Sequence, residues 1–147
     1  MRLLLFKRKL PNKLTLNMFN EKKTISDDLW NDITNGEIAI KYTDKITNEW
    51  ICNINYRIHT GQIGLLFVNN LYQRKGLGTE MLTNAIKDIC NRSNVSNIWA
   101  VTTNNHPYWN NVKINGQKFH SKTPAHPSVT GSGYVLENIR SIFTNKE

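Results

Sequence analysis

The stretch that decides the fold reads Val68-Asn69-Asn70-Leu71-Tyr72-Gln73-Arg74-Lys75-Gly76-Leu77-Gly78-Thr79. It predicts a turn that carries the chain from a buried strand into the start of a helix. The first backbone N–H groups of a helix lack partners within it and carry partial positive charge. Gly76 and Gly78 permit unusual dihedral angles and leave those groups open to a ligand, and Arg74 and Lys75 add positive charge beside them. The stretch therefore predicts a phosphate-binding nest.

The spacing of the glycines excludes two other kinds of phosphate loop. A P-loop would need a glycine at position 71 or 72, and none stands there. A dinucleotide-binding fingerprint would need a third glycine where Met81 stands. A tight turn between strand and helix that binds no ligand remains the alternative interpretation.

Hydrophobic patterns on both sides of the loop predict strands before it and a helix after it. Apolar residues that alternate or run together predict three consecutive strands, over residues 37–42, 50–58 and 63–68. The third is apolar on both faces, so we expect a central strand that is covered on each side. Beyond the loop, apolar residues repeat with helical spacing, at Met81, Leu82, Ala85, Ile86 and Ile89.

The rest of the chain predicts a mixed sheet with helices packed on it. Residues 14–19 alternate like a first strand. Ser26 followed by Asp27 and Asp28 predicts the capped start of a helix that ends at Gly36. The later patterns predict strands over 97–103, 117–120 and 133–139, a short helical segment over 106–112 and a long loop over 121–132.

Taken in order, strand, loop and amphipathic helix resemble motif A of the GNAT N-acetyltransferase superfamily. That motif reads Val-x-x-x-Tyr-[QR]-x-x-G-x-[GA], and Gln73, Gly76 and Gly78 match it. Asn70 departs from it where proline is usual, and one predicted helix precedes residue 37 where two are common. The resemblance implies an α/β fold: one domain over 1–147, with a core of about 14–139, in which a central mixed sheet carries helices on both faces.

The resemblance also implies that the protein uses acetyl-CoA to acetylate a primary amine on a protein, an aminoacyl-tRNA or a small molecule. Backbone amides of the loop would hold the pyrophosphate, and the edge of the preceding strand would bind the pantetheine arm. In that family the two central strands splay apart, and the thioester lies in the gap. The residues expected to bind the coenzyme are Phe67, Val68, Gln73, Arg74, Lys75, Gly76, Leu77, Gly78, Thr79, Asn104 and Asn105.

Proton transfer is the remaining chemical requirement. The resemblance implies a tyrosine that protonates the departing thiolate, and Tyr108 is the candidate; the alternative is that Tyr108 and Trp109 wall the cleft or pack in the core. Because the strand over 63–68 contains no acidic residue, the base is left open. The candidates are Glu37, His59, water reached through backbone carbonyls, and the histidines His106, His120 and His126. Their spacing matches no metal-binding pattern, so we expect no metal.

Composition predicts a globular intracellular protein with a preference for anionic partners. The 147 residues include 19 Lys and Arg against 11 Asp and Glu, for a net charge of +8. This balance suits an acidic protein, nucleic acid or a phosphorylated cofactor, although biased codon composition would give it too. We expect Cys52 and Cys90 to be buried, reduced thiols. No apolar run reaches the roughly 20 residues of a membrane span, and we expect a cytoplasmic monomer or homodimer.

Two other functions compete with the enzyme. One is a nucleic-acid-binding module whose loop grips backbone phosphates. The other is a protein that has the same fold and binds the coenzyme but has lost turnover, an interpretation favoured only by the missing carboxylate in the third strand.

Overall fold

The computed structural model describes residues 25–33, 36–44, 47–73, 76–103 and 105–144 of the chain. Its strands are β1 Ile25–Ile33, β2 Glu37–Asp44, β3 Trp50–Arg57, β4 Ile63–Val68, β5 Ile98–Val101, β6 Lys113–Ile114, β7 Gln117–Lys118, β8 His120–Lys122 and β9 Gly133–Leu136. Its helices are α1 Leu77–Arg92, α2 Pro107–Asn111 and α3 Ile139–Thr144, and a 3-10 turn covers Asn70–Tyr72. Within these residues no helix combines the length and the apolar character that a membrane span requires.

Four strands form an antiparallel sheet in the order β1-β2-β3-β4. The alternation in the sequence has the expected result in β2 and in β3 from Cys52 onward, where every second side chain points into the core; Ile51 is buried as well. The buried side chains of these two strands include Ile38, Ile40, Tyr42, Cys52, Ile54 and Tyr56. The predicted strands over 37–42 and 50–58 are therefore confirmed, as is the α/β fold class.

A second sheet, in the order β5-β9-β8, lies beside the first. One isolated parallel bridge, Gln62 to Trp99, joins the neighbouring strands of the two sheets. At that point the Trp99 backbone N–H donates to the Gly61 carbonyl at 3.1 Å, and its indole N–H donates to the Thr60 carbonyl at 2.9 Å. The other edge of β5 pairs with β9. Beyond the vertex no backbone pairing joins β4 to β5 within the described strands, so the two strands diverge and leave a gap.

Helix α1 packs its apolar stripe on the sheet, as the sequence predicts. Its five stripe residues, Met81, Leu82, Ala85, Ile86 and Ile89, are all buried. Burial of a large aliphatic side chain contributes about 1.5–3 kcal/mol. The helix is also tied to β3 by a polar contact, since the Tyr56 hydroxyl donates to Asp88 Oδ2 at 2.5 Å. Arg92 pairs with the same carboxylate at 2.9 Å.

The predicted helix from Ser26 to Gly36 is wrong. Residues 25–33 form β1, which pairs antiparallel with β2. Without β1 the edge of β2 would leave a row of backbone groups without sheet partners, and sheet pairing outweighs a capping pattern that stabilises an isolated helix by only about 1 kcal/mol. The register shifts between Ser26 and Leu29, so Asp27 and Asp28 occupy a bulge rather than a first helical turn.

The C-terminal predictions also need correction. The last strand ends at Leu136 and not at 139, because Asn138 adopts a φ of +56° and helix α3 follows. Ile139 is fully buried, and the Arg140 guanidinium donates to the carbonyls of Cys90 (3.2 Å) and Ser93 near the end of α1. The apolar C-terminal residues therefore close over α1, which a strand in their place could not do.

Three smaller predictions differ from the structure. The loop expected over 121–132 begins with part of β8, and the strand expected over 117–120 is split between β7 and β8. Strand β4 is not covered on both faces, since Leu65 is 47% exposed and Phe67 53% exposed. The strand predicted over 14–19 lies outside the described residues.

Candidate functional site

The gap between β4 and β5 is a cleft of about 660 Å³, a size typical of small-molecule sites. Its walls come from β4, from the loop and first turn of α1, from β5 and from α2. The lining residues include Leu65, Phe67, Val68, Gln73, Gly78, Thr79, Val101, Thr102, His106 and Tyr108. Because β4 pairs with β3 along one edge only, backbone groups on its other edge face this cleft beyond the vertex at Gln62.

The loop between β4 and α1 is held by side-chain amides. The Asn69 side chain accepts from the Leu71 N–H at 3.0 Å and donates to the Trp50 carbonyl at 2.6 Å. Gln73 donates to the Val68 carbonyl at 2.9 Å and to Asn70 Oδ1 at 3.0 Å. The matching glutamine of the motif therefore folds back across the loop and ties it to the end of β4.

Gly76 and Gly78 serve the loop in different ways. Gly76 is the N-cap of α1 with a φ of +81°, a left-handed conformation that side chains other than glycine rarely adopt. Gly78 needs no unusual dihedral angle, which corrects that expectation for the second glycine. A Cβ there would lie 3.6 Å from Val68 Cγ2 and 3.7 Å from the Tyr108 hydroxyl. A methyl would fit, but a branched side chain would extend further into this narrow part of the cleft.

The N-terminus of α1 supplies hydrogen-bond donors at this end of the cleft. Gly76 has no side chain to cap the helix, and the first intrahelical bond runs from the Glu80 N–H to the Gly76 carbonyl at 3.0 Å. The N–H groups of Leu77, Gly78 and Thr79 precede that bond and point along the helix axis. The Leu77 side chain is buried in the core, so only its backbone is available to a ligand.

Tyr108 is the residue of α2 that faces this helix end. Its hydroxyl lies 3.2 Å from Thr79 Oγ1, and its side chain lines the cleft. Burial raises the pKa of Tyr108, and the hydrogen bond with Thr79 opposes that increase only in part. The phenol therefore keeps its proton at neutral pH, as a proton donor must.

His106 is the one histidine of the described residues that lines the cleft. Its Nδ1 accepts a hydrogen bond from the Tyr108 backbone N–H at 3.2 Å and caps α2. If Nδ1 took up a proton, its N–H would point at the backbone N–H of Tyr108 and the hydrogen bond would be lost. Nδ1 is therefore poorly placed to act as a base. His106 therefore has a structural task that its sequence position does not reveal.

The other candidate bases lie away from the cleft lining. Glu37 pairs with Arg57 at 3.7 Å, and His59 is exposed in the turn after β3. His120 lies 3.6 Å from Glu137. His126 stacks on Trp99 with the ring centroids 4.3 Å apart. None of these four side chains is positioned to take a proton inside the cleft.

The structure brings part of the predicted coenzyme set together. Phe67, Val68, Gln73, Gly76, Leu77, Gly78 and Thr79 all line the cleft. Asn105 is exposed with a φ of +58° and is not in the lining, while Arg74, Lys75 and Asn104 lie outside the described residues. Coenzyme contacts for all of these residues stay predictions.

Neither cysteine is suited to be a nucleophile. Burial raises the pKa of the Cys52 thiol to about 12, and the Glu80 carboxylate adds to the increase. Burial also raises the pKa of Cys90, which is half-buried and unpaired. Since the thiolate is the reactive form, both side chains stay inert at neutral pH. In the described part of the chain no cluster of three metal-ligating side chains occurs.

Two features of the site escape sequence reasoning. The bond between Thr79 and Tyr108 joins residues 29 positions apart, and the Tyr134 hydroxyl reaches α2 from β9 across 28 and 24 positions. Each depends on how α2 docks after β5, and no local pattern encodes that docking. Tyr134 reads in the sequence only as one more apolar residue of the last strand.

Comparison with solved structures supports a shared fold. A GNAT-family acetyltransferase from Staphylococcus aureus Mu50 superposes with a TM-score of 0.51 at 15% identity, over 70% of this chain and 68% of that one. A protein from Desulfovibrio desulfuricans that is described as an acetyltransferase of the GNAT family has a TM-score of 0.48 at 17% identity, over 69% of each chain. An aminoglycoside 6'-N-acetyltransferase complexed with coenzyme A has 0.44 at 14%, over 72% and 74%. Only the first score exceeds 0.5, so it alone supports the fold.

Comparison of the sequence with protein families gives the assignment that single structures do not. No curated protein matches the chain. The family model described as the acetyltransferase (GNAT) family matches residues 10–113, a range that contains the glycine loop, α1, β5 and α2. Because this match spans well over half of the chain, the protein belongs to the acetyltransferase (GNAT) family.

Proposed function

We propose that this protein transfers an acetyl group from acetyl-CoA to a primary amine. The observation that carries the proposal is the cleft where β4 and β5 part, which has the N-terminus of α1 at one end and the protonated Tyr108 inside. A long ligand with phosphates at one end and amides along its length matches that arrangement. Gly78 leaves room for the ligand, because a side chain larger than a methyl would extend from this position into the cleft.

The coenzyme would be held mainly by backbone groups. The N–H groups at the start of α1 would bind the pyrophosphate, with Arg74 and Lys75 adding charge from the same loop. The edge of β4 at Phe67 and Val68 would pair with the amides of the pantetheine arm as a strand does. Exposed apolar side chains of Leu65, Phe67 and Val101 would contact its carbon chain.

The reaction needs one proton delivered and one removed. When the amine forms its bond to the acetyl carbon and the C–S bond breaks, the sulfur leaves as a thiolate. Tyr108 would protonate that thiolate, because its hydroxyl lies in the cleft and burial keeps it protonated. The proton released by the amine would pass to water, since Nδ1 of His106 already accepts the Tyr108 N–H.

The acceptor is proposed only as a class. A primary amine on a protein, an aminoacyl-tRNA or a small molecule fits the transfer. The net charge of +8 favours an acceptor carried by an anionic partner, because opposite charges raise the rate of encounter. We propose a cytoplasmic monomer or homodimer, which fits two unpaired cysteines.

The test is release of the CoA thiol in the presence of a panel of amines, with titration calorimetry of CoA beside it. The panel contains an acidic peptide with a free N-terminus, a lysine peptide with a blocked N-terminus, a polyamine and an aminoacyl-tRNA. Amine-dependent thiol release supports the proposal. CoA binding without thiol release in the presence of any amine indicates a protein that binds the coenzyme but has no turnover. Nucleic-acid binding without CoA binding indicates a nucleic-acid-binding module.

A further inference from the structure

Helix α2 is too short to hold its own position. It contains five residues, Pro107–Asn111, whereas an isolated helix needs about 12–15 to be even marginally stable in water. Yet it carries Tyr108, whose hydroxyl must stay near Thr79 and the cleft. Contacts from the rest of the protein therefore decide where that hydroxyl lies.

One side chain reaches both ends of this helix. Tyr134 of β9 is 1% exposed, and its hydroxyl accepts from the His106 backbone N–H at 3.1 Å. The same hydroxyl donates to Asn110 Oδ1 at 2.6 Å. His106 is the N-cap of α2 and Asn110 lies in its last turn, so one oxygen atom links both ends of the helix to the second sheet.

The aromatic packing acts in the same direction. Trp109 is buried, and its ring centroid lies 5.0 Å from that of Phe119, between β7 and β8, and 6.4 Å from that of Tyr134 in β9. These contacts hold the inner face of α2, but rings can slide and rotate over one another. The two hydrogen bonds of the Tyr134 hydroxyl have fixed directions, and they set the rotation of the helix about its axis.

We propose that Tyr134 is a positioning residue for the acetyl transfer, which it supports by holding α2 so that the Tyr108 hydroxyl reaches the departing thiolate. The inference rests on the proposed function. Tyr134 is not itself the proton donor, because it does not line the cleft and its hydroxyl proton is directed at Asn110. Its effect on the reaction passes through Tyr108.

The test is a kinetic double-mutant cycle of Tyr134→Phe and Tyr108→Phe. Tyr134→Phe should lower kcat by about 10- to 100-fold, the loss that a misplaced group causes, and leave the KM for acetyl-CoA and the Kd for CoA within twofold. In the Tyr108→Phe background the second substitution should cost almost nothing further, because residues that act as a unit are not additive.

A matched control is Tyr56→Phe. Tyr56 is equally buried, and its hydroxyl also donates a hydrogen bond, but to Asp88 of α1. This variant should melt at a lower temperature and keep the wild-type kcat. If Tyr134→Phe does not fold, the same cycle is run with Asn110→Ala. Asn110 is exposed, so its truncation should leave the fold intact, and the substitution removes the acceptor of the Tyr134 hydrogen bond.

Several outcomes would overturn the inference. They are an unchanged kcat for Tyr134→Phe, an equal loss for Tyr56→Phe, or the same fractional loss with and without the Tyr108 hydroxyl. Tyr108→Phe at full activity would leave nothing to position. A wild-type protein that releases no thiol with any amine would refute the proposed function and this inference together, whereas an active wild type with an unaffected Tyr134→Phe refutes this inference alone.

Discussion

At the scale of single residues, the surroundings of Tyr108 lead to the most specific prediction, which concerns the effect of its hydroxyl on kcat. Replacement of Tyr108 by Phe keeps the ring and removes the proton, so kcat should fall on the order of 100-fold or more, while the KM for acetyl-CoA should barely move. Steady-state kinetics with His106→Ala and His120→Ala as companions measure this. His120 lies outside the cleft and should show no effect.

The pH dependence of the same residue follows from its raised pKa. Tyr108 is active as an acid in its protonated form, so its contribution is complete below its pKa and is lost as the pH rises through it. An ordinary tyrosine titrates near pH 10, and burial moves this one higher. The kcat should therefore show no Tyr108-dependent decline between pH 7 and pH 9. A decline of kcat in that range that disappears in Tyr108→Phe would contradict the assignment.

The kinetics of the histidine variants give a separate check. A large loss of kcat confined to His106→Ala would assign the acid role to His106.

Gly78 gives a second test at this scale. The Cβ of Gly78→Ala would meet its neighbours at ordinary distances of 3.6 Å and more, so this variant should bind CoA. It should also be more stable by about 0.4–1 kcal/mol, because alanine restricts the unfolded chain more than glycine does. Gly78→Val should fold but lose CoA affinity, since its methyls would enter the cleft. Titration calorimetry of both variants checks this, and a valine variant that binds normally would place the phosphates elsewhere.

Sequence reasoning at the residue scale succeeds where a motif is local. Gln73, Gly76 and Gly78 are close in sequence, so their pattern predicts a loop that the structure then forms. For Tyr108, only the family resemblance indicates a role in proton transfer. The task of His106 as a cap and the reach of Tyr134 depend on the docking of α2, which the sequence does not encode locally.

At the scale of elements, strand β1 shows how tertiary pairing can outweigh local signals. The stretch from Ser26 carries a good helix start, and judged alone it favours a helix. The edge of β2 offers backbone hydrogen bonds along eight residues, Glu37–Asp44, and the strand pairs with it. Helix α1 was predictable because its apolar stripe, its glycine start and its length all favour the same structure.

The attachment of α1 to β3 is testable in the same way. Asp88→Ala would leave the Tyr56 hydroxyl and Arg92 without their shared partner, and should lower the free energy of unfolding by about 3 kcal/mol. Glu137→Ala is the control, because it also removes a paired carboxylate but one that is 49% exposed, where such pairs contribute less than about 1 kcal/mol. Urea unfolding measures both. Equal losses would mean that the buried contact does not anchor the helix.

At the scale of the whole molecule, the cleft is a consequence of topology. β4 ends one sheet, β5 starts another, and in the described part of the chain one parallel bridge at Gln62 joins them before they diverge. Hydrophobic patterns predict the strands on either side but cannot show that β5 stays paired with β9 while it parts from β4. The residue patterns therefore predict most of the elements and the phosphate loop. The open strand edge is implied only by the family resemblance, and the structure shows which strands part to form it.

The measurement that tests the central claim most directly is the melting temperature with and without acetyl-CoA in low-salt buffer. A ligand that binds only the native state stabilises it by about 2.7 kcal/mol at a hundredfold excess over its Kd. For a chain of this size that is a rise of roughly 5–10 °C. The account predicts this rise for the wild type and its loss in Gly78→Val. An unchanged wild-type melting temperature at millimolar acetyl-CoA would contradict the claim that the cleft between β4 and β5 holds the coenzyme.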